Sequence, residues 1–381
     1  MPSALIRLAA AIALSTAVLP AQEADPVIRT LSAPNAVLAP GFTRIASVRS
    51  LADGRLLVLD AGDKKVLIAE WASRAATQIG REGRGPAEYA SPSILIALPA
   101  DSTIVVDPAV GRWLILHRSD IVGMMPPDAV VLRAGARVPF GADDRGRVYD
   151  LRGDGGTTPF GGAMSISIGA SVGRDSTALI RTSRTTGHAD TIARLRARPS
   201  RVAATGTNDK GYSFKVQVNP LAAGEQAVLS GDGWIAIARL DPYRVDWIGP
   251  DGTRVQGKPL PFVNVAIDER EQRATMSRIA DRRGGEPQDP STMTDWPTTL
   301  PPFLGDALHV APDGRLWVHR APRASTNDTR YDVVDRRGVL VARVAMGARE
   351  QLIGFGSGAV FTVTTDDDGL QRLRRHAMPK L

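Results

Sequence analysis

The chain has 381 residues, 43% of them hydrophobic and 23% charged, with a formal net charge of +7. It contains no cysteine, which excludes disulfides, thiolate metal sites, cysteine nucleophiles and a lipid-modified N-terminal cysteine. Only six of its 47 basic residues are lysines (64, 65, 210, 215, 258 and 380), and the arginines are spread through strands and turns, which reads as a composition bias rather than an anion site.

The first residues carry one cation, Arg7, and then an apolar stretch from Leu8 to Leu19 that ends at Pro20 and Ala21. This pattern predicts a secretory signal peptide over residues 1–21. The stretch is too short for a comfortable membrane span, and no other window approaches ~18 uninterrupted apolar residues. The expected location is therefore the periplasm or the outside medium, with no membrane span after cleavage. Residues 22–40 form an N-terminal segment whose strand PVIRTL (26–31) is expected to join the last structural unit and close a ring.

Six later stretches share one pattern: SVRSLADGRLLVLD (47–60), IALPADSTIVVD (96–107), VPFGADDRGRVYD (138–150), AVLSGDGWIAIARLD (227–241), HVAPDGRLWVHR (309–320) and LIGFGSGAVFTVTTD (352–366). Each is an apolar run, a turn built on Asp or Gly, and a second apolar run. Asp-Gly suits tight hairpins and leads us to expect positive φ at both central residues. Three of the five gaps between turns fall in the ~40–50-residue range of a propeller blade. Runs such as Leu56-Leu57-Val58-Leu59 are apolar at consecutive positions, as expected where neighbouring blades cover both faces of a sheet. Further strand material and turns after each hairpin complete four antiparallel strands per unit. The predicted fold is all-β, a six-bladed β-propeller over residues 41–376, followed by a tail at 377–381.

Between blades four and five lies an insertion, residues 265–302. Its first part, IDEREQRATMSRIADRR (267–283), has acids early and bases late and predicts a helix. A proline-rich loop containing Trp296 follows. Trp296 is a candidate ligand-stacking residue, with loop anchoring as the competing role.

The glycine-dense loop GREGRGPAEY (80–89) follows the last strand of blade one. It lacks the Lys and the following helix that a phosphate cradle needs. It resembles the G-x-x-G-x-G-P-x-E-aromatic signature of the bacterial six-bladed β-propeller proteins related to NHL-repeat propellers, here Gly80, Gly83, Gly85, Pro86, Glu88 and Tyr89. The resemblance implies the fold and an exported location, and it implies no settled activity.

Propeller topology puts this loop on the same face as the ends of the second strands. Arg81, Arg84, Glu88 and Tyr89 are candidate ligand-binding residues on that face. Asp60, Asp107, Asp150 and Asp241, each read as closing a second strand, are candidate ligands for a hard cation such as Ca²⁺. Turn-shaping hydrogen bonds are their competing role. His319-Arg320 occupies the equivalent place in blade five.

No histidine pair has zinc spacing and no G-x-S-x-G elbow is present. The functional expectation is an exported binding or protein-interaction module using this face, with no cofactor. Its partner would be a small molecule, glycan, peptide or envelope protein, and no nucleic acid. The alternative is a metal-dependent hydrolase or lyase at the channel mouth, with possible Ca²⁺.

Overall fold

The computed structural model describes residues 28–125, 139–153, 175–199, 201–208, 211–283, 285–293, 295–326 and 328–381. The signal-peptide reading falls outside them. Among the described residues no helix is long and apolar enough to cross a membrane.

The chain folds as a six-bladed β-propeller of four-stranded antiparallel sheets. Blade one is Ile45–Ser50, Leu56–Asp60, Lys65–Glu70 and Ala75–Ile79, running outward from the centre. Blade five has the same order: Phe303–Val310, Leu316–Arg320, Thr329–Val334 and Leu340–Met346. A two-stranded hairpin, Arg201–Asn208 with Gly211–Gln217, stands outside the blades between three and four.

Burial explains the consecutive apolar runs. Leu57 and Leu59 pack with Leu95, Val105 and Leu114 of blade two. Leu56 and Val58 point the other way, into a cluster with Phe361, Val363 and Leu373 of blade six. All four side chains of this run are fully buried, and each contributes about 1.5–3 kcal/mol of transfer free energy. The remaining blade interfaces have their own clusters, centred on Ile104 and Val148, Leu179 and Ile237, Trp247 and Phe303, and Trp317 and Val360. The ring is thus held by the spaces between sheets, as the period-one apolar pattern requires.

Ring closure differs from the sequence expectation. The strand within PVIRTL, Ile28–Thr30, runs parallel to the outer strand of blade five rather than joining blade six. Blade six receives its fourth strand from Ala36–Val37, antiparallel to Gln371–Ala377. His376 ties this closure together: its Nδ1 lies 2.7 Å from the Ser32 carbonyl, and its Nε2 lies 3.0 Å from Glu350.

The Asp-Gly turns also need one correction. Only the glycine is left-handed, with φ of 85° at Gly54 and 80° at Gly314. The Leu51 N–H donates to the Arg55 carbonyl and the Gly54 N–H to the Leu51 carbonyl, and Asp53 accepts from the Arg55 N–H at 3.0 Å. This is a wider turn than the two-residue type, so one positive φ suffices.

The insertion contains one helix, α1 (Glu269–Arg283). Asp268 accepts from the Glu271 N–H at 3.0 Å, and Glu269 pairs with Arg273 one turn on. Met276 and Ala280 are buried against the propeller, together with the polar Glu271 and Thr275.

Candidate functional site

In blades one, two and five the link from second to third strand lies on the face of the inter-blade connections. In blade one that link is short, residues 61–64, and Asp60 organises it. The carboxylate of Asp60 accepts from Thr43 N–H (2.8 Å) and Arg44 N–H (2.9 Å) of the incoming chain, and from Gly62 N–H (3.0 Å) of its own turn. Asp107 repeats this in blade two, accepting from Ala90 (2.6 Å), Ser91 (3.2 Å) and Ala109 (3.1 Å). Both carboxylates are buried.

The other two aspartates do not occupy the expected position. Asp150 lies inside its strand, Arg147–Gly153, and pairs with Arg152 at 2.8 and 3.0 Å. Asp241 falls one residue beyond its strand, in an exposed turn. No three acidic or histidine side chains gather around one point among the described residues. Sequence spacing alone put these four together; in the fold, two hold backbone loops and two are elsewhere.

The loop at 80–89 brings its own candidate residues together. Glu88 accepts from the Gly85 N–H at 2.6 Å and from Arg81 Nε at 2.7 Å. These two contacts, the backbone one foremost, hold its carboxyl below the usual glutamate range. Arg81–Glu82 folds back parallel to Glu88–Tyr89. Tyr89 is buried, its hydroxyl donating to the Ile79 carbonyl (2.9 Å) and accepting from the Val66 N–H (3.2 Å). Arg112 of blade two donates to the carbonyls of Arg84 and Gly85. The glycines make room: a Cβ on Gly83 would stand 2.1 Å from Glu88 Oε2. The Glu88 and Tyr89 side chains are thus turned onto the loop and blade one, while the Arg84 side chain is exposed. Trp296 lies apart, packed beside Leu221, Leu300 and Ala321 with its indole N–H 3.3 Å from the Pro290 carbonyl.

A concave site on this face lies at blade five. A cleft of about 720 Å³ opens between α1, the segment Pro261–Val263, and the links around Arg320 and Arg349. Blade five departs from the aspartate pattern at one position. Arg320 is the last residue of its second strand, as Asp60 and Asp107 are of theirs. The following link, residues 321–328, is correspondingly long. Ala321 N–H still reaches back to the Pro302 carbonyl at 3.0 Å, but the rest of the link rises over the face and is held by α1. Glu271 does the holding, with Ala324 N–H 2.9 and 3.0 Å from its two oxygens.

Arg320 instead turns towards a buried carboxylate, Asp332, at 2.7 Å. Asp332 also meets Arg343 at 3.2 Å and the Tyr243 hydroxyl at 3.0 Å. The guanidinium of Arg320 lies over the rings of Phe262 (5.0 Å) and Tyr243 (5.4 Å), a cation–π arrangement that fixes its plane. Above this floor stand Arg323, Arg330 and Arg349, with Arg278 on the helix wall. Arg323 is half-buried, and its guanidinium pKa is lowered, first by burial and then by the positive charges of Arg320 and Arg330.

His319-Arg320 was legible in the sequence as belonging to this face, and the 265–302 insertion as a helix and loop whose role, lid or structural cap, stayed open. Arg323, Arg330, Arg349, Phe262 and Asp332 were missed. The signal for them was Arg323 in the longest described second-to-third-strand link with Arg320 and Arg330 on the strands flanking it, masked by arginine being common everywhere else.

No family model matches the chain, and no curated protein matches it in sequence. Solved structures do. A member of the DUF4221 family from Bacteroides vulgatus is 7% identical, covers 93% of this chain and 99% of its own, and has a TM-score of 0.50. A protein of Bacteroides fragilis named for export is 12% identical over 93% and 95% of the two chains, with a TM-score of 0.46. A gluconolactonase from Xanthomonas campestris is 10% identical over 92% and 95%, with a TM-score of 0.44. At 7% identity the likeness to the DUF4221 member speaks for the fold alone.

Proposed function

We propose that the protein is an exported binding module whose ligand surface is the inter-blade-connection face, at the blade-five cleft walled by α1. One observation carries this reading: the cleft of about 720 Å³ is of the size that takes a small organic ligand, and the insertion that departs from the blade repeat is what builds its wall. The signal-like N-terminus supports the exported location.

The alternative, a metal-dependent hydrolase or lyase, draws on Asp60, Asp107, Asp150 and Asp241. No observation favours it, because the first two spend their oxygens on backbone N–H groups and the other two lie elsewhere.

The absence of cysteine makes the test direct. An environment-sensitive fluorophore is attached at Ser277→Cys in the cleft wall, and in a second sample at Asp53→Cys on the opposite face. Titration with organic acids, oligosaccharides and peptides is expected to give a saturable change at the Ser277 position only. Equal responses at both positions, or none at either, would remove the cleft from the proposal.

A further inference from the structure

The cleft has an unusual charge arrangement. Six arginines line it against three aspartates, Asp281, Asp328 and Asp332. Two of those carboxylates are committed. Asp332 is shared between Arg320 and Arg343. Asp328 pairs with Arg330 at 2.6 Å. Arg323 and Arg349 have no carboxylate within 4 Å among the described residues, and the nearest polar contact of Arg323 is the Val263 carbonyl at 3.5 Å.

Arg323 is the informative one. An exposed, unpaired arginine such as Arg349 is ordinary, because water solvates it. Arg323 is half-buried on the 321–328 link, beside three other guanidinium groups, and that arrangement costs free energy in the empty protein. Glu271 offsets part of this field from beneath the link, but its oxygens are turned to the Ala324 N–H. A crowded like-charge cluster of this kind is relieved by an anion entering from the open side, where a planar guanidinium grips two oxygens at once.

The rest of the lining defines what carries that anion. Val263 is 69% exposed and Ile28 45%, two of the few large apolar side chains left in water among the described residues. Both line the cleft, with Phe262 and Pro322 beside them. A bare inorganic ion would leave this apolar lip unused. A polyanion would meet Asp281 and Asp328, which also line the cleft. One negative group on an apolar body satisfies both ends.

We propose that the cleft binds a small organic monocarboxylate, its carboxylate held by Arg323 and its apolar body lying along Phe262 and Val263. This rests on the reading of the blade-five cleft as the ligand surface and adds the chemical class.

The experiment uses octanoate, its neutral isostere octanamide, and inorganic phosphate as probes, titrated by calorimetry into the cysteine-free protein and into Arg323→Gln. Octanoate is expected to bind about tenfold more tightly than octanamide, with about the same loss in Arg323→Gln and weakening as salt is raised. Thermal denaturation of unliganded Arg323→Gln supplies a second readout: its Tm is expected to equal or exceed that of the wild type, since a crowded charge is removed.

Equal binding of octanoate and octanamide, unaffected by Arg323→Gln, would overturn the carboxylate assignment while leaving the cleft as a binding site. Phosphate binding in place of octanoate, lost in Arg323→Gln, would overturn the monocarboxylate class in favour of an inorganic oxyanion. No binding of any probe, with the Ser277 fluorophore still responding to neutral ligands, would overturn the inference alone. Silence from the fluorophore as well would overturn both this and the reading beneath it.

Discussion

Glu271 of the insertion helix presents both carboxylate oxygens to a single backbone group, the N–H of Ala324, at 2.9 and 3.0 Å. The contact joins two segments 53 residues apart and makes the helix and the long blade-five link one unit. The helix is polar along most of its length, so this anchor and the burial of Met276 and Ala280 are what seat it. Glu271→Ala should cost about 1–3 kcal/mol, the cost of leaving a buried donor unpaired. Hydrogen exchange at Ala324 should speed up while amides in blade one stay protected. Unchanged exchange at Ala324 would mean that the link is held by something else.

Asp107 is fully buried and accepts three backbone N–H groups from two loops. Asp107→Ala should destabilise the protein by about 2–4 kcal/mol, and Asp107→Asn by less, because its amide oxygen still accepts. A cation would have to displace those donors to reach the carboxylate. Titrating the EDTA-treated protein with Ca²⁺ should therefore leave Tm unchanged. A saturable rise that disappears in Asp107→Asn would restore the metal-centred alternative.

Gly83 has room for no side chain because Glu88 fills the space, with Oε2 only 2.1 Å from a would-be Cβ. Gly83→Ala should expel that carboxylate from Arg81 and the Gly85 N–H, at a cost of about 1–2 kcal/mol. Adding Glu88→Gln to Gly83→Ala should then cost little more, since the contact is already lost. Full additivity of the two changes in denaturant melts would show that Gly83 acts through its backbone alone.

Stability should fall with acidity in two steps of different origin. His309 on the inner strand of blade five has its pKa pushed down to about 4, first by burial and then by the neighbouring His319. Between the ordinary value of 6.5 and about 4, the unfolded chain binds a proton that the folded chain refuses. Stability is thus fully present above 6.5 and declines as pH falls towards 4, by no more than about 3 kcal/mol. His309→Gln should flatten that slope.

Glu350 supplies the lower step. Its carboxyl is held below 4.5 by His376 first, and also by Thr362 and Arg374. A depressed carboxylate contributes stability above its unfolded pKa and loses it as pH falls through the folded value. Glu350→Gln should remove the loss below pH 4.5 and leave the slope above it intact. Denaturant midpoints measured across the range would separate the two, and an unchanged acid limb in Glu350→Gln would contradict the role given to the His376 pair.

Much of the fold was legible because propeller blades repeat. The turns at Asp53, Asp232 and Asp313 and the unbroken run Leu56–Leu59 state strand length and two-sided burial locally. Ring closure was less legible, because Ile28–Thr30 and Ala36–Val37 are both short and carry too little pattern to name a partner strand. The roles of Asp60 and Asp107 were stated only as alternatives: a strand-ending aspartate looks the same whether it faces a cation or a backbone N–H.

By itself, then, the sequence determined the blade, its number of copies, the inserted helix and the face on which His319-Arg320 would stand. Each of these is written in residues close together in the chain, through apolar periodicity and turn chemistry. Only the tertiary structure decided that Glu271 holds the long blade-five link, that Asp332 meets both Arg320 and Arg343, and that Arg323 is half-buried with no carboxylate within 4 Å among the described residues. Those outcomes depend on which charges meet across blades and loops. A direct ion pair needs its atoms within about 4 Å, and the chain order of 41 arginines holds no record of such distances.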